Sequence, residues 1–181
     1  MNGGAQHFDT QGTRVTVAGA ATNILALTNL NSQTDGDYEV EGWLKLLAPA
    51  GTNTITFVPG GITADQKSQV LFVEGQGGGA LTPFESTNLF VGSVGAGLTS
   101  EFFFRGTFRV RAAAANGSRL WTCTTYRDDT AGEGQHEYAI HSVGLWRNTG
   151  TSFSQIAILA SVAATIDVGS YFIARKKGLL A

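Results

Sequence analysis

Apolar and polar residues alternate with a period of two along much of the chain, most sharply from Glu101 to Arg111. Phe102, Phe104, Phe108 and Val110 fall on one side there, and Glu101, Phe103, Arg105, Thr107, Arg109 and Arg111 on the other. Successive side chains of a strand point to opposite faces, so the segment predicts a strand with one face in a core. Tyr38 to Leu46 repeats the pattern, with Tyr38, Val40, Leu44 and Leu46 opposite Glu39, Glu41, Trp43 and Lys45. Further strands are predicted at Arg14 to Val17, Ile24 to Leu27, Thr54 to Val58, Gln69 to Glu74, Arg119 to Thr125, Gln135 to Trp146, Phe153 to Ala160 and Ser170 to Lys176, about ten in all.

Turn-forming residues separate these segments: Asp35-Gly36-Asp37, Pro49-Ala50-Gly51, Pro59-Gly60-Gly61, Asn116-Gly117-Ser118 and Asn148-Thr149-Gly150. Asn116-Gly117 between two strands is the clearest hairpin signal. Ala112 to Ala115 is too short for a helix, and Thr63 to Ser68 has room for one helical turn at most. The fold class that follows is all-β, a jelly-roll-like two-sheet antiparallel β-sandwich, with a closed barrel as the alternative. The 181 residues fit one such domain, residues 14–181, preceded by an N-terminal arm of residues 1–13. Glu74 to Gly97 breaks the rhythm with seven glycines and predicts a long exposed loop of a kind that often carries contacts.

Composition then narrows the function. Charged residues make up 14% of the chain, against about 25% in an average soluble protein, so the surface is neutral and offers little like-charge repulsion between copies. Self-association or a large partner is expected. A net charge of −2 lacks the basic footprint that phosphate backbones demand, which argues against nucleic acid. The N-terminus has neither a basic start nor an apolar core, so no secretory leader is predicted, and no apolar stretch approaches the 18 or so residues of a spanning helix. With Cys123 as the one cysteine, an intramolecular disulfide is excluded.

Motifs for chemistry fail on context. Gly75-Gln76-Gly77-Gly78-Gly79-Ala80 matches a loosened dinucleotide fingerprint, but Leu81-Thr82-Pro83 follows where a helix must open. His136 and His141 stand five apart, where a helical zinc motif needs four, and on a strand they would face opposite ways. His7 has only Asp9 as a nearby carboxylate. Asp128, Asp129, Glu133 and Glu137 are read as solvated charges before a glycosidase pair or a calcium loop, since their spacing fits neither closely. Asn116-Gly117-Ser118 has the form of a glycosylation sequon but reads as a turn. No cofactor, metal or catalytic residue is assigned, and the chain is expected to bind and assemble. Trp43, Phe103 and Trp121 fall on the less apolar sides of their strands: they face either a second core surface or a partner, for which aromatic residues beside Arg105, Arg109 and Arg111 are suited.

The C-terminal third carries Gly144-Leu145-Trp146-Arg147-Asn148-Thr149, then Ile156-Ala157-Ile158-Leu159-Ala160, then Ile166-Asp167-Val168-Gly169-Ser170-Tyr171-Phe172-Ile173. This resembles the ending of jelly-roll structural proteins of tailed-bacteriophage virions, in which a Trp-x-Asn turn leads to an Ile-rich strand and a Gly-Ser turn to the last one. Tyr38 to Trp43 and Phe104 to Val110 are similar to that family's earlier core strands, while Phe172-Ile173-Ala174-Arg175 departs from its common Leu-Tyr-Gly ending. The resemblance implies a capsid cement or decoration protein, a homotrimer that stabilises the capsid exterior by binding the major capsid protein, made in the host cytoplasm. The alternative is a tail or fibre protein that contacts other tail proteins or a host glycan, with Trp43 or Trp121 in a loop-lined cleft. Expected protein contacts are His7, Phe8, Arg14, Trp43, Phe103, Arg105, Lys176 and Lys177.

Overall fold

A computed structural model describes residues 12–32, 36–74, 82–110, 118–129, 136–147 and 152–177. In chain order the strands are β1 (Thr13–Thr16), β2 (Ile24–Leu27), β3 (Asp37–Leu46), β4 (Asn53–Pro59), β5 (Gln66–Glu74), β6 (Thr82–Ser86), β7 (Leu89–Val94), β8 (Ser100–Arg109), β9 (Arg119–Asp129), β10 (His136–Trp146), β11 (Ile156–Ala160) and β12 (Tyr171–Lys177). They form two antiparallel sheets, one of eight strands in the order β1-β12-β3-β8-β9-β10-β5-β6 and one of four in the order β2-β11-β4-β7. The architecture is the jelly-roll-like β-sandwich that the alternation predicts, not a closed barrel.

The core lies between the sheets. In β3 the even-numbered residues are buried and the odd ones turned outward, and β8 and β9 alternate as strictly. Phe57 of the small sheet sits at the centre, stacked on Trp121 at 4.3 Å between ring centroids and tilted against Phe108 at 5.1 Å. Such pairs add about 0.5–1.5 kcal/mol each beyond the area they bury. Room for the rings comes from glycine: a Cβ on Gly42 would lie 2.4 Å from the Phe104 ring, and one on Gly92 2.4 Å from the Phe102 ring.

The glycine-rich span corrects the expected long loop. Residues 75–81 lie outside the described residues, but β6 and β7 occupy 82–86 and 89–94, and Leu89, Phe90, Val91 and Val94 are buried. Gly92 serves close packing within a strand. Thr63 to Ser68, which had room for one helical turn at most, forms none: β5 opens at Gln66 to continue the pairing with β10 as far as Trp146. The asparagine turns at 116–117 and 148–149 lie outside the described residues, as does the glycine fingerprint at 75–80.

Strand β7 ends the small sheet, and its outward backbone groups are met by side chains of the large sheet. Trp121 Nε1 and Ser142 Oγ both donate to the Phe90 carbonyl, at 3.1 and 2.6 Å, and Thr125 Oγ1 donates to that of Val91 at 2.7 Å. Arg127 donates to Ser93 O at 2.7 Å, and Ser68 Oγ and Gln66 Oε1 accept from the amides of Phe90 and Leu89. A buried backbone group left unpaired costs as much as a lost hydrogen bond, and an open sheet edge invites foreign strands. The inward-facing Ser68, Thr125, Arg127 and Ser142 therefore close an edge inside the sandwich.

Candidate functional site

The outer face of the eight-stranded sheet is the surface that stands out. Exposed there are Phe103 (45%), Tyr126 (60%), Val143 (54%) and Leu145 (41%), an apolar content that marks interaction surfaces when it is contiguous. Register joins Phe103 and Tyr126 into one aromatic row, while Val143 and Leu145 lie four and six residues further along β10 than its member Ala139. Across the sheet, Tyr171 pairs with Trp43, Trp43 with Phe103, Phe103 with Tyr126, Tyr126 with Ala139 and Ala139 with Val73. With strands about 4.8 Å apart, the four aromatic residues of this row span roughly 14 Å.

Charged rows flank the aromatic one. Toward the sheet end where β8 begins, Lys45, Glu101 and Asp128 lie side by side. On the other flank Glu41 pairs with Arg105, Arg105 with Thr124 and Thr124 with His141. Many charges are matched within the face. Arg175 bonds Glu41 at 2.8 Å, which holds the Glu41 carboxyl below its ordinary range and raises the guanidinium. Lys177 pairs with Glu39, and Lys45 lies 3.1 Å from Asp167. The Asp167 carboxyl is lowered first by the Val168 amide and then by Lys45.

Between the aromatic and acidic rows is a cleft of about 460 Å³ lined by Trp43, Glu101, Phe103, Tyr126, Asp128 and Ala139 among others. Trp43 Nε1 donates to Glu101 Oε2 at 3.3 Å, tying a ring and a carboxylate of the two rows together. Arg127 and Tyr138 also line it: Arg127 pairs with the buried carboxylate of Asp129, and its Cζ lies 4.1 Å from the Tyr138 ring centroid. Asp129 also accepts from Ser100 Oγ.

Of the residues expected to make contacts, Arg14, Trp43, Phe103 and Arg105 share this face, with the Arg14 guanidinium 4.3 Å from the Tyr171 ring centroid. Lys177 is on the same face at its margin, whereas Lys176 alternates to the opposite side. His7 and Phe8 lie outside the described residues. Trp121 resolves to the core and is fully buried. Tyr126 escaped the sequence reading, and Asp128 reads there as a solvated charge, because that reading ends the strand at Thr125; carrying the same alternation four residues further places both on the face.

The chemical motifs do not converge. Asp128 and Asp129 point to opposite sides of β9, one exposed and one buried on Arg127, so they cannot share a proton or an ion. The His136 side chain and residue Glu133 lie outside the described residues, and His141 Nδ1 is 3.2 Å from Thr124 Oγ1. Burial pushes the Cys123 thiol up to about 12, which leaves it unreactive. Among the described residues no group of three or more His, Cys, Asp and Glu is placed to hold a metal, and no helix is long and apolar enough to cross a membrane.

No protein-family model matches the chain, and no curated protein does either. Among solved structures it is similar to a chain of the "Structure of infectious bursal disease virus Gx strain", at 8% identity and a TM-score of 0.26. The match covers 91% of this chain and 40% of that one, a likeness too slight to carry an argument about either fold or function.

Proposed function

We propose that the chain is a non-enzymatic structural protein of a tailed-phage virion, a cement protein that binds the capsid exterior as a trimer and docks through the outer face of the eight-stranded sheet. The observation that carries this reading is the aromatic row from half-buried Trp43 through exposed Phe103 to exposed Tyr126, on the same sheet face as exposed Val143 and Leu145. Leaving such side chains in water forgoes about 1.5–3 kcal/mol for each one that a partner would cover. A low overall charge fits an assembly protein, and several weak contacts in a trimer add through effective concentration. The glycan-binding alternative loses Trp121 to the core, and its remaining aromatics lie on a sheet face where a loop-lined cleft was required.

The test is to mix the purified chain with capsids that lack it and locate it by cryo-electron microscopy, with its mass in solution measured by ultracentrifugation. Density between capsid subunits, from a chain of trimeric mass, is expected. Density on the tail alone would transfer the assignment to a tail or fibre protein, and a monomer with no affinity for either would end it.

A further inference from the structure

The cleft between the aromatic and acidic rows has a chemistry that selects its occupant. Trp43, Phe103 and Tyr126 bring aromatic rings, whose negative quadrupole attracts a cation lying over the ring face within about 6 Å. Glu101 and Asp128, directly opposite each other on β8 and β9, bring two carboxylates to its rim. The nearest cations are already committed, Lys45 to Asp167 and Arg127 to the buried Asp129. Among the described residues no basic side chain forms an ion pair with Glu101 or Asp128.

These facts discriminate between partners. An anionic surface would be repelled by the two carboxylates. A purely apolar surface would cover the rings but strip water from both carboxylates without a counter-charge, a penalty of several kcal/mol per ion. A lysine or arginine side chain meets every requirement at once: its stem packs on the rings, and its charged head reaches the carboxylates. Two other clefts among the described residues lack this combination. The one of about 380 Å³ on the same face places Arg105 and His141 beside Glu39, and that of about 510 Å³ near Asp65 and Lys67 is polar without an aromatic wall.

We infer that this cleft is the anchor point for a basic side chain of the partner protein, with the Trp43–Glu101 hydrogen bond holding ring and carboxylate in the receptive arrangement. This deepens the assembly reading and rests on it for the identity of the partner, though the cleft can be tested without any capsid. The full-length chain is titrated with the blocked peptides acetyl-Gly-Lys-Gly-amide and acetyl-Gly-Arg-Gly-amide and with the neutral isostere acetyl-Gly-norleucine-Gly-amide, following backbone amide shifts around Phe103, Tyr126 and Ala139 by nuclear magnetic resonance.

At least tenfold tighter binding of a basic peptide than of the isostere is expected, with a further loss of about tenfold in E101Q or D128N and in Phe103→Ala. These residues are exposed or at the rim, and unchanged circular dichroism establishes that the variants fold. Equal binding of all three peptides, or no effect of E101Q and D128N, overturns the inference whatever the chain does on capsids. Tetramethylammonium binding without peptide binding also overturns it, by making the occupant a free organic cation, and so does a concentration-dependent dimer abolished by D128N, by making it a second copy of the chain. Cation-selective binding by a chain with no affinity for virions supports the cleft and removes only the virion reading.

Discussion

The closure of the β7 edge by side chains of the opposite sheet can be tested by two substitutions that differ in what they leave behind. Thr125 is fully buried, and its hydroxyl donates to Val91 O at 2.7 Å. Thr125→Val keeps the shape of the side chain, so no cavity opens, but a buried carbonyl on an edge strand loses its donor. An unsatisfied buried group costs about 1–3 kcal/mol. Ser142→Ala removes a bond of similar length to Phe90 O, yet that carbonyl keeps the Trp121 Nε1 donor at 3.1 Å, so the loss is about 0.5–1.5 kcal/mol. In a protein of this size 1 kcal/mol moves the melting temperature by about 2–4 °C. At the central costs of about 2 and about 1 kcal/mol, the valine variant should melt about 4–8 °C lower and the alanine variant about 2–4 °C lower. Urea unfolding followed by tryptophan fluorescence should give the same order at unchanged m-value. Adding Trp121→Phe to Ser142→Ala should cost more than the two separately, because Phe90 O then loses both donors. A Thr125→Val protein as stable as the Ser142→Ala one would refute the reasoning, and would mean that water or backbone adjustment meets the β7 carbonyls.

Three further outcomes are expected. Cys123, its thiol raised to about 12 by burial, should react with Ellman's reagent only as fast as the protein unfolds, and rapid labelling of the native chain would contradict the described packing. Gly42→Ala brings a Cβ within 2.4 Å of the Phe104 ring and 2.8 Å of the Tyr171 carbonyl, so it should lose about 1–3 kcal/mol, whereas Gly51→Ala, with open space around the new atom, should stay within about 0.5 kcal/mol of the parent. The hydrogen bond from Arg175 lowers the Glu41 carboxyl from its ordinary 4.5, so its stabilising effect is complete above that value and disappears as pH falls through the lowered one. Glu41→Gln should therefore cost about 0.2–1 kcal/mol at neutral pH, as a partly exposed pair does, and match the parent in strong acid; a cost that persists in acid would assign the effect to packing.

Much of this protein was written in its alternation. A period of two fixes which residues of β3 and β8 face inward once the strands exist, because the backbone alone sets that geometry. It placed Trp43, Phe103 and Arg105 on one surface without knowledge of any neighbour. Other features depend on partners far along the chain. Glycine content predicted a loop at 82–94, but Gly92 stands in a strand because the Phe102 ring needs the space, a demand from another sheet that no local pattern records. The polar residues Ser68, Thr125, Arg127 and Ser142 point into the core because an edge strand lies opposite them, so what reads as broken alternation is hydrogen bonding between the sheets. The aromatic row is likewise a product of register: Trp43, Phe103 and Tyr126 come from three strands, and sliding any one by two residues would keep every side chain on its face while dispersing the row. The sequence by itself determined the class of fold and, where alternation is clean as in β3 and β8, the face of each residue, since both follow from local backbone geometry. Only the tertiary structure decided which residues stand side by side across the strands, and hence where a partner can be held.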